Sequence, residues 1–202
     1  MQPIAFVTGA DRGLGFALCA GLLERSWHVF GGQYMPDWPD LIALAGRFPE
    51  TFHTVPLDVT SVESAQVAAQ TVAGMADRVD MLTNNAGVIS PTVERAVGEG
   101  LDYAEMHREF DVNTLGALRM VEAFLPLTNQ SAIKRLCFVS SEAGSITRCQ
   151  RQAWYGYCMS KAALNMAVKI TFNRLRPEGY TFRVYHPGWM RSYMHGSKNM
   201  EA

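Results

Sequence analysis

Short β-rich clusters of apolar residues alternate along this chain with helix-length amphipathic stretches. That alternation predicts an α/β domain built on a parallel sheet. Residues 3–8 read as a first strand, followed by a glycine-rich turn and a helix through Arg25. Residues 27–32 form a second strand, a proline-bearing connection (Pro36, Pro39) leads to a short helix at 41–47, and residues 52–57 form a third strand. Thr60 and Glu63 have capping-box spacing and open a helix to about Met75, with a fourth strand at 79–83. Asp102 and Glu105 repeat that spacing on a long helix running toward Leu125, with Pro126 near its end. A fifth strand at 135–140, a long helix at 155–176 and a sixth strand at 181–185 complete the pattern. No repeat, low-complexity tract or linker divides the chain, so residues 1–202 are expected to form one domain.

Composition narrows the function classes. With 48% hydrophobic and 18% charged residues the chain is of ordinary folded type, and its net charge of -1 comes with no run of like charges. Nucleic acid and anionic membranes are therefore not expected partners. Cys19, Cys137, Cys149 and Cys158 lack CxxC spacing, which predicts buried reduced thiols and no metal site. The first residues lack the basic start and long apolar run of a signal peptide, and no apolar run approaches a membrane span, so a cytoplasmic location is expected.

Two local patterns carry chemistry. Thr8-Gly9-Ala10-Asp11-Arg12-Gly13-Leu14-Gly15 lies between the first strand and the first helix. Glycines there allow a tight turn and let backbone amides approach a phosphate, which the helix N-terminus then faces with its dipole. The end of the second strand, Gly31-Gly32-Gln33-Tyr34, lacks the carboxylate that would bind the ribose hydroxyls of NAD. Arg12 is placed to pair with a 2′-phosphate, or else is a solvated turn residue, and NADP(H) is expected over NAD. The second pattern is Tyr157 and Lys161, four residues apart in a helical stretch and so on one face. A nearby ammonium favours the phenolate, so Tyr157 is expected to have its pKa drawn down. Tyr155 lies roughly 240° from Lys161 around the helix and is a packing or loop aromatic.

In this order the motifs resemble those of the short-chain dehydrogenase/reductase family. TGxxxGxG is met at Thr8 to Gly15 and NNAG at Asn84-Asn85-Ala86-Gly87; an Asp-Val pair at Asp58-Val59 and a helix asparagine at Asn113 follow the same scheme. The serine after the fifth strand is Ser141, YxxxK is Tyr157 and Lys161, and the PG pair is Pro187-Gly188. Ser-Ser-Glu-Ala-Gly-Ser-Ile and His-Pro-Gly-Trp-Met-Arg-Ser further resemble the C-factor-like branch.

The resemblance implies a Rossmann-fold, doubly wound three-layer α/β/α domain and hydride transfer between a nicotinamide and a carbonyl or alcohol. It implies Tyr157 as general acid, Lys161 as its pKa tuner and ribose ligand, and Ser141 as anchor of the substrate oxygen. Asn113 would interrupt its helix and support a water that links Lys161 to solvent. Gly9, Arg12, Gly13, Leu14 and Gly15 would hold the pyrophosphate end of the cofactor. Asp58 and Val59 would face the adenine, while Asn85, Ala86, Gly87, Pro187 and Gly188 would line the cofactor and Ser192 would reach the nicotinamide carboxamide. His186 is set aside as a strand-end packing residue.

Family members continue through a lid segment and a seventh strand, so either the sequence is incomplete or a short form with six strands is expected, with the lid absent or truncated. Arg148 and Arg151, in the loop before Tyr157, either favour an acidic substrate or are solvated. Homodimers or homotetramers through the helices starting near Asp102 and Tyr155 are implied, with Leu164, Ala167, Val168 and Phe172 on more than one face. A catalytically silent dinucleotide-binding regulatory or signalling protein is the alternative.

Overall fold

The computed structural model describes residues 2–190 and Met194. Six parallel strands lie in the order β3-β2-β1-β4-β5-β6: β1 (Ile4–Val7), β2 (His28–Gln33), β3 (Phe52–Pro56), β4 (Met81–Asn84), β5 (Arg135–Val139) and β6 (Thr181–Tyr185). This is the Rossmann-like arrangement. Its strand order reverses between β1 and β4, so a crevice opens beyond their carboxyl ends. Val7 is in register with Gly31 of β2 and with Thr83 of β4.

Helices cover both faces, which is why β1 reads as an unbroken buried run. Phe6, Phe30, Leu82 and Phe138 face α3 (Val62–Ala73), α5 (Gly116–Asn129) and α6 (Tyr155–Leu175), packing with Met120, Phe124 and Leu164. Val7, Val29 and Phe52 pack on the opposite side with α1 (Gly13–Leu23) and α2 (Pro39–Arg47) through Cys19, Leu23, Leu41 and Leu44. Among the described residues no helix is long and apolar enough to cross a membrane.

Two expectations are corrected, the cap of α3 and the burial of Cys149, while the expected interruption of the long helix is met. The cap of α3 is Ser61, whose side chain accepts from Ser64 N, because the Thr60 hydroxyl instead donates to Asp58 Oδ1 at 2.7 Å. The long helix after Asp102 is divided into α4 (Tyr103–Phe110), one π-helical turn (Asp111–Leu115) and α5. It continues past Pro126 to Asn129, where the Thr128 hydroxyl returns to the carbonyls of Phe124 and Leu125. Cys149 is exposed, since its loop stands away from the core, while Cys19 is buried and its thiol is pushed up to about 12.

Candidate active site

The turn after β1 is fastened to the loop after β4. The Thr8 hydroxyl accepts from the backbone N–H groups of Asn85 and Ala86, both at 2.9 Å. Asn85 Nδ2 returns hydrogen bonds to the carbonyls of Thr8 and Gly9 at 2.9 and 3.1 Å. Gly9 and Gly13 take φ of 62° and 57°, a left-handed region open to glycine at low cost. A β-carbon on Gly15 would lie 2.0 Å from the Gly9 carbonyl oxygen, so α1 can approach the turn only with glycine there. The first turn of α1 carries no acidic residue, and no side chain caps it. An uncapped helix start beside a glycine cradle fits an anion such as a pyrophosphate.

Asp11, buried within this turn, was missed by the sequence reading. Its carboxylate accepts from Tyr34 N at 3.0 Å and Met35 N at 2.7 Å, holding the chain just beyond β2. Gln33 Nε2 secures the same segment by donating to the carbonyls of Met35 and Pro36. Arg12 stands at the start of α1 with its guanidinium 5.1 Å from the Trp38 ring centroid. Asp58 and Val59 line this end of a cavity of about 1040 Å³.

The same cavity reaches Ser141, Tyr157, Lys161, Pro187 and Gly188. Ser140 and Ser141 separate cleanly. The Ser140 hydroxyl donates to Asn165 Oδ1 at 2.7 Å, a structural task, whereas the Ser141 hydroxyl is hydrogen-bonded to Tyr157. Tyr155 lines a separate crevice with Met106 and Glu109.

Asn113 sits in the π-helical turn, as the interruption of its helix required. Its side chain closes on Val88, accepting from N at 2.8 Å and donating to O at 2.9 Å. Its Nδ2 also donates to Ser160 Oγ at 3.0 Å, and that hydroxyl donates to the Tyr157 carbonyl at 2.8 Å. Ser160, which the sequence reading passed over, thus ties Asn113 to the turn carrying Tyr157. Glycine at 87 keeps this floor open, because a β-carbon there would meet Asn113 Oδ1 at 3.3 Å and Lys161 Nζ at 3.6 Å.

Lys161 overturns one electrostatic expectation. Its Nζ donates to the Val139 carbonyl at 3.0 Å and lies 5.7 Å from the Tyr157 ring centroid. Burial lowers its pKa to about 8. Burial raises that of Tyr157, against the opposing hydrogen bond from Ser141. Desolvation therefore outweighs any help from the lysine. Arg151 is likewise not a free cation, because it is paired with Glu142 at 2.5 Å. Ser192 lies outside the described residues.

The fold, the glycine cradle and the Ser–Tyr–Lys cluster define a dinucleotide-dependent oxidoreductase class. The short chain dehydrogenase family matches residues 3–202, and this chain belongs to that short-chain dehydrogenase/reductase family. It is 46% identical over 118 residues to C-signal of Myxococcus xanthus, covering 58% of this chain and 69% of that protein. An oxidoreductase of Schizosaccharomyces pombe is 32% identical over 196 residues, covering 96% of this chain and 76% of the relative. Carbonyl reductase from chicken fatty liver, solved with NADPH bound, superposes with a TM-score of 0.86 at 29% identity, over 98% of this chain and 84% of that one.

Proposed function

We propose that this chain is an NADP(H)-dependent oxidoreductase that moves a hydride between nicotinamide and a small carbonyl or alcohol substrate. Residues 1–202 would work as a single dinucleotide-binding domain bearing the catalytic site. The observation that carries the reading is the meeting of Ser141, Tyr157 and Lys161 in one cavity whose far end is the glycine turn. A bound nicotinamide dinucleotide supplies the hydride. Gly9, Arg12, Gly13, Leu14 and Gly15 hold its phosphates, Asp58 and Val59 flank its adenine, and Asn85, Ala86, Gly87, Pro187 and Gly188 line the rest. Arg12, with no acid at the end of β2, favours the 2′-phosphate of NADP(H) over NAD. The NADPH in the chicken enzyme supports the same choice.

Tyr157 supplies the proton as general acid in the reductive direction, and burial raises its pKa. Ser141 donates to the substrate oxygen as negative charge grows there. Lys161 holds the ribose, and a water beside Asn113 resupplies the proton. The outward face of α6 exposes Met159, Met166 and Ile170, which supports a homodimer or homotetramer through that helix; light scattering on the purified chain tests it.

A second reading, a silent dinucleotide-binding signalling protein, draws on the identity to C-signal. One assay separates the two: NADPH oxidation with a panel of aldehydes, ketones and quinones, beside NADPH binding, for the parent and Tyr157→Phe. Turnover that vanishes in the variant while binding persists supports the reductase. Binding without turnover of any carbonyl sinks it. NADPH should bind more tightly than NADH and lose that advantage in Arg12→Ala, and equal affinities in the parent would overturn the cofactor choice.

A further inference from the structure

Trp154 is built into the wall beside Tyr157. It precedes the first turn of α6 with φ 68° and ψ 30°, a conformation that bulky side chains rarely adopt. Two bonds to the loop after β4 keep it there: its N–H donates to the Val93 carbonyl at 2.9 Å, and Nε1 donates to Glu94 Oε1 at 2.8 Å. With the indole N–H engaged, the ring offers only π surface and C–H edge to the cavity. It stands edge-on to Tyr157, with centroids 6.0 Å apart at 81°, and to Trp189, at 6.5 Å and 73°. Ile89 also lines the cavity and packs in one buried cluster with Tyr157, against which Trp154 rests. Trp154, Trp189 and Ile89 thus give the cavity an aromatic and apolar stretch beside Tyr157.

The cation that lies over the Trp154 ring is already paired. Arg151 reaches Glu142 through both terminal nitrogens, at 2.5 and 3.2 Å, with its guanidinium 5.3 Å from the Trp154 ring centroid. A substrate carboxylate entering here would find the guanidinium fork taken and the Glu142 charge facing it.

We infer that the substrate end of this cavity selects neutral aryl aldehydes and ketones, with Trp154 as the specificity-determining wall and the Glu142–Arg151 pair excluding carboxylate-bearing analogues. The inference rests on the reductase reading and names its substrate class. Arg151, read from the sequence as a possible attractor of acidic substrates, has the opposite role once Glu142 is in place.

The test uses four probes with NADPH: acetophenone, cyclohexyl methyl ketone, phenylglyoxylate and methyl phenylglyoxylate. The expected kcat/KM is at least tenfold higher for acetophenone than for its cyclohexyl counterpart, and at least tenfold higher for the ester than for the acid. Trp154→Gly, which accepts the left-handed backbone, should bring the first ratio to within about twofold, and Trp154→Phe should restore much of it. Glu142→Gln should collapse the second ratio by freeing the guanidinium. Saturation-transfer NMR on the cofactor-free protein gives an independent readout, with transfer to the phenyl protons of acetophenone that is lost in Trp154→Gly. Equal use of the phenyl and cyclohexyl ketones, or preference for the acid over the ester, overturns the inference while the reductase reading stands. Turnover of none of the probes, with Trp154-dependent transfer intact, overturns the reductase reading and leaves the aryl slot supported. Absence of transfer in the parent overturns the slot.

Discussion

The Glu109 carboxylate fills the space that a side chain on Gly156 would need: a β-carbon there would lie 2.0 Å from Glu109 Oε2. Glu109 is 1% exposed, and its other oxygen accepts from Ser90 N at 2.8 Å. An acid on α4 thus sets how closely α4 packs on the first turn of α6, one residue from Tyr157. The glycine before the tyrosine is a packing requirement.

Gly156→Ala should therefore destabilise the fold by about 1–3 kcal/mol, the usual cost of overpacking, and lower kcat by moving Tyr157. Urea unfolding measures the first effect and steady-state kinetics the second. Adding Glu109→Ala should recover part of the loss, a coupling that a double-mutant cycle resolves. An alanine variant as stable and active as the parent would contradict this packing.

Glu109 also links stability to pH. Burial raises its pKa above the ordinary carboxylate value, so in the window between the two values the folded state binds more protons than the unfolded state. Stability contributed by this group is complete below the ordinary value and falls as pH rises through the window. Glu109→Gln keeps an acceptor for Ser90 N–H and removes the charge. Its stability relative to the parent should grow between pH 4 and pH 7, as followed by chemical denaturation, and a difference independent of pH would rule the linkage out.

Lys161 shows the opposite sign. Burial depresses its pKa from 10.5 to about 8, so a neutral lysine contributes fully above 10.5 and that contribution is lost as pH falls toward 8. Below that range the buried ammonium costs on the order of 3 kcal/mol, partly offset by its bond to Val139. Lys161→Met should abolish turnover yet stabilise the protein at pH 7 by about 1–2 kcal/mol, an advantage that fades above pH 10. Equal thermal stability of parent and variant at pH 7 would count against the buried charge.

Asp11 should matter for the cofactor although it is an acid in the glycine turn after β1. Asp11→Ala leaves the N–H groups of Tyr34 and Met35 without their carboxylate and loosens the segment beside the cavity. Affinity for NADPH is expected to fall about tenfold, the equivalent of roughly 1.4 kcal/mol. Titration by nucleotide fluorescence reads this directly, and unchanged affinity for both NADPH and NADH would refute it.

What was legible in the residues is what depends on neighbours in sequence. Tyr157 and Lys161 share a face because helical periodicity puts them there, and the glycine turn is readable because tight turns and uncapped helix starts have local signatures. The assignment of Thr60 as the cap failed at the same local scale, because Asp58 competes for the Thr60 hydroxyl.

Partnerships across the fold were not legible. Lys161 meets Val139 from 22 positions away, Asn113 meets Ser160 from 47, and Asp11 meets Met35 from 24. The sequence by itself determined the alternation of strands and helices, the glycine turn after β1 and the motifs of the family. Tertiary structure alone decided their state: the raised pKa of Tyr157, the lowered one of Lys161, the neutralised Arg151 and the left-handed Trp154 wall. The reason is physical. Periodicity is a property of adjacent residues, whereas desolvation, ion pairing and steric exclusion are set by whatever the folded chain brings within a few ångströms.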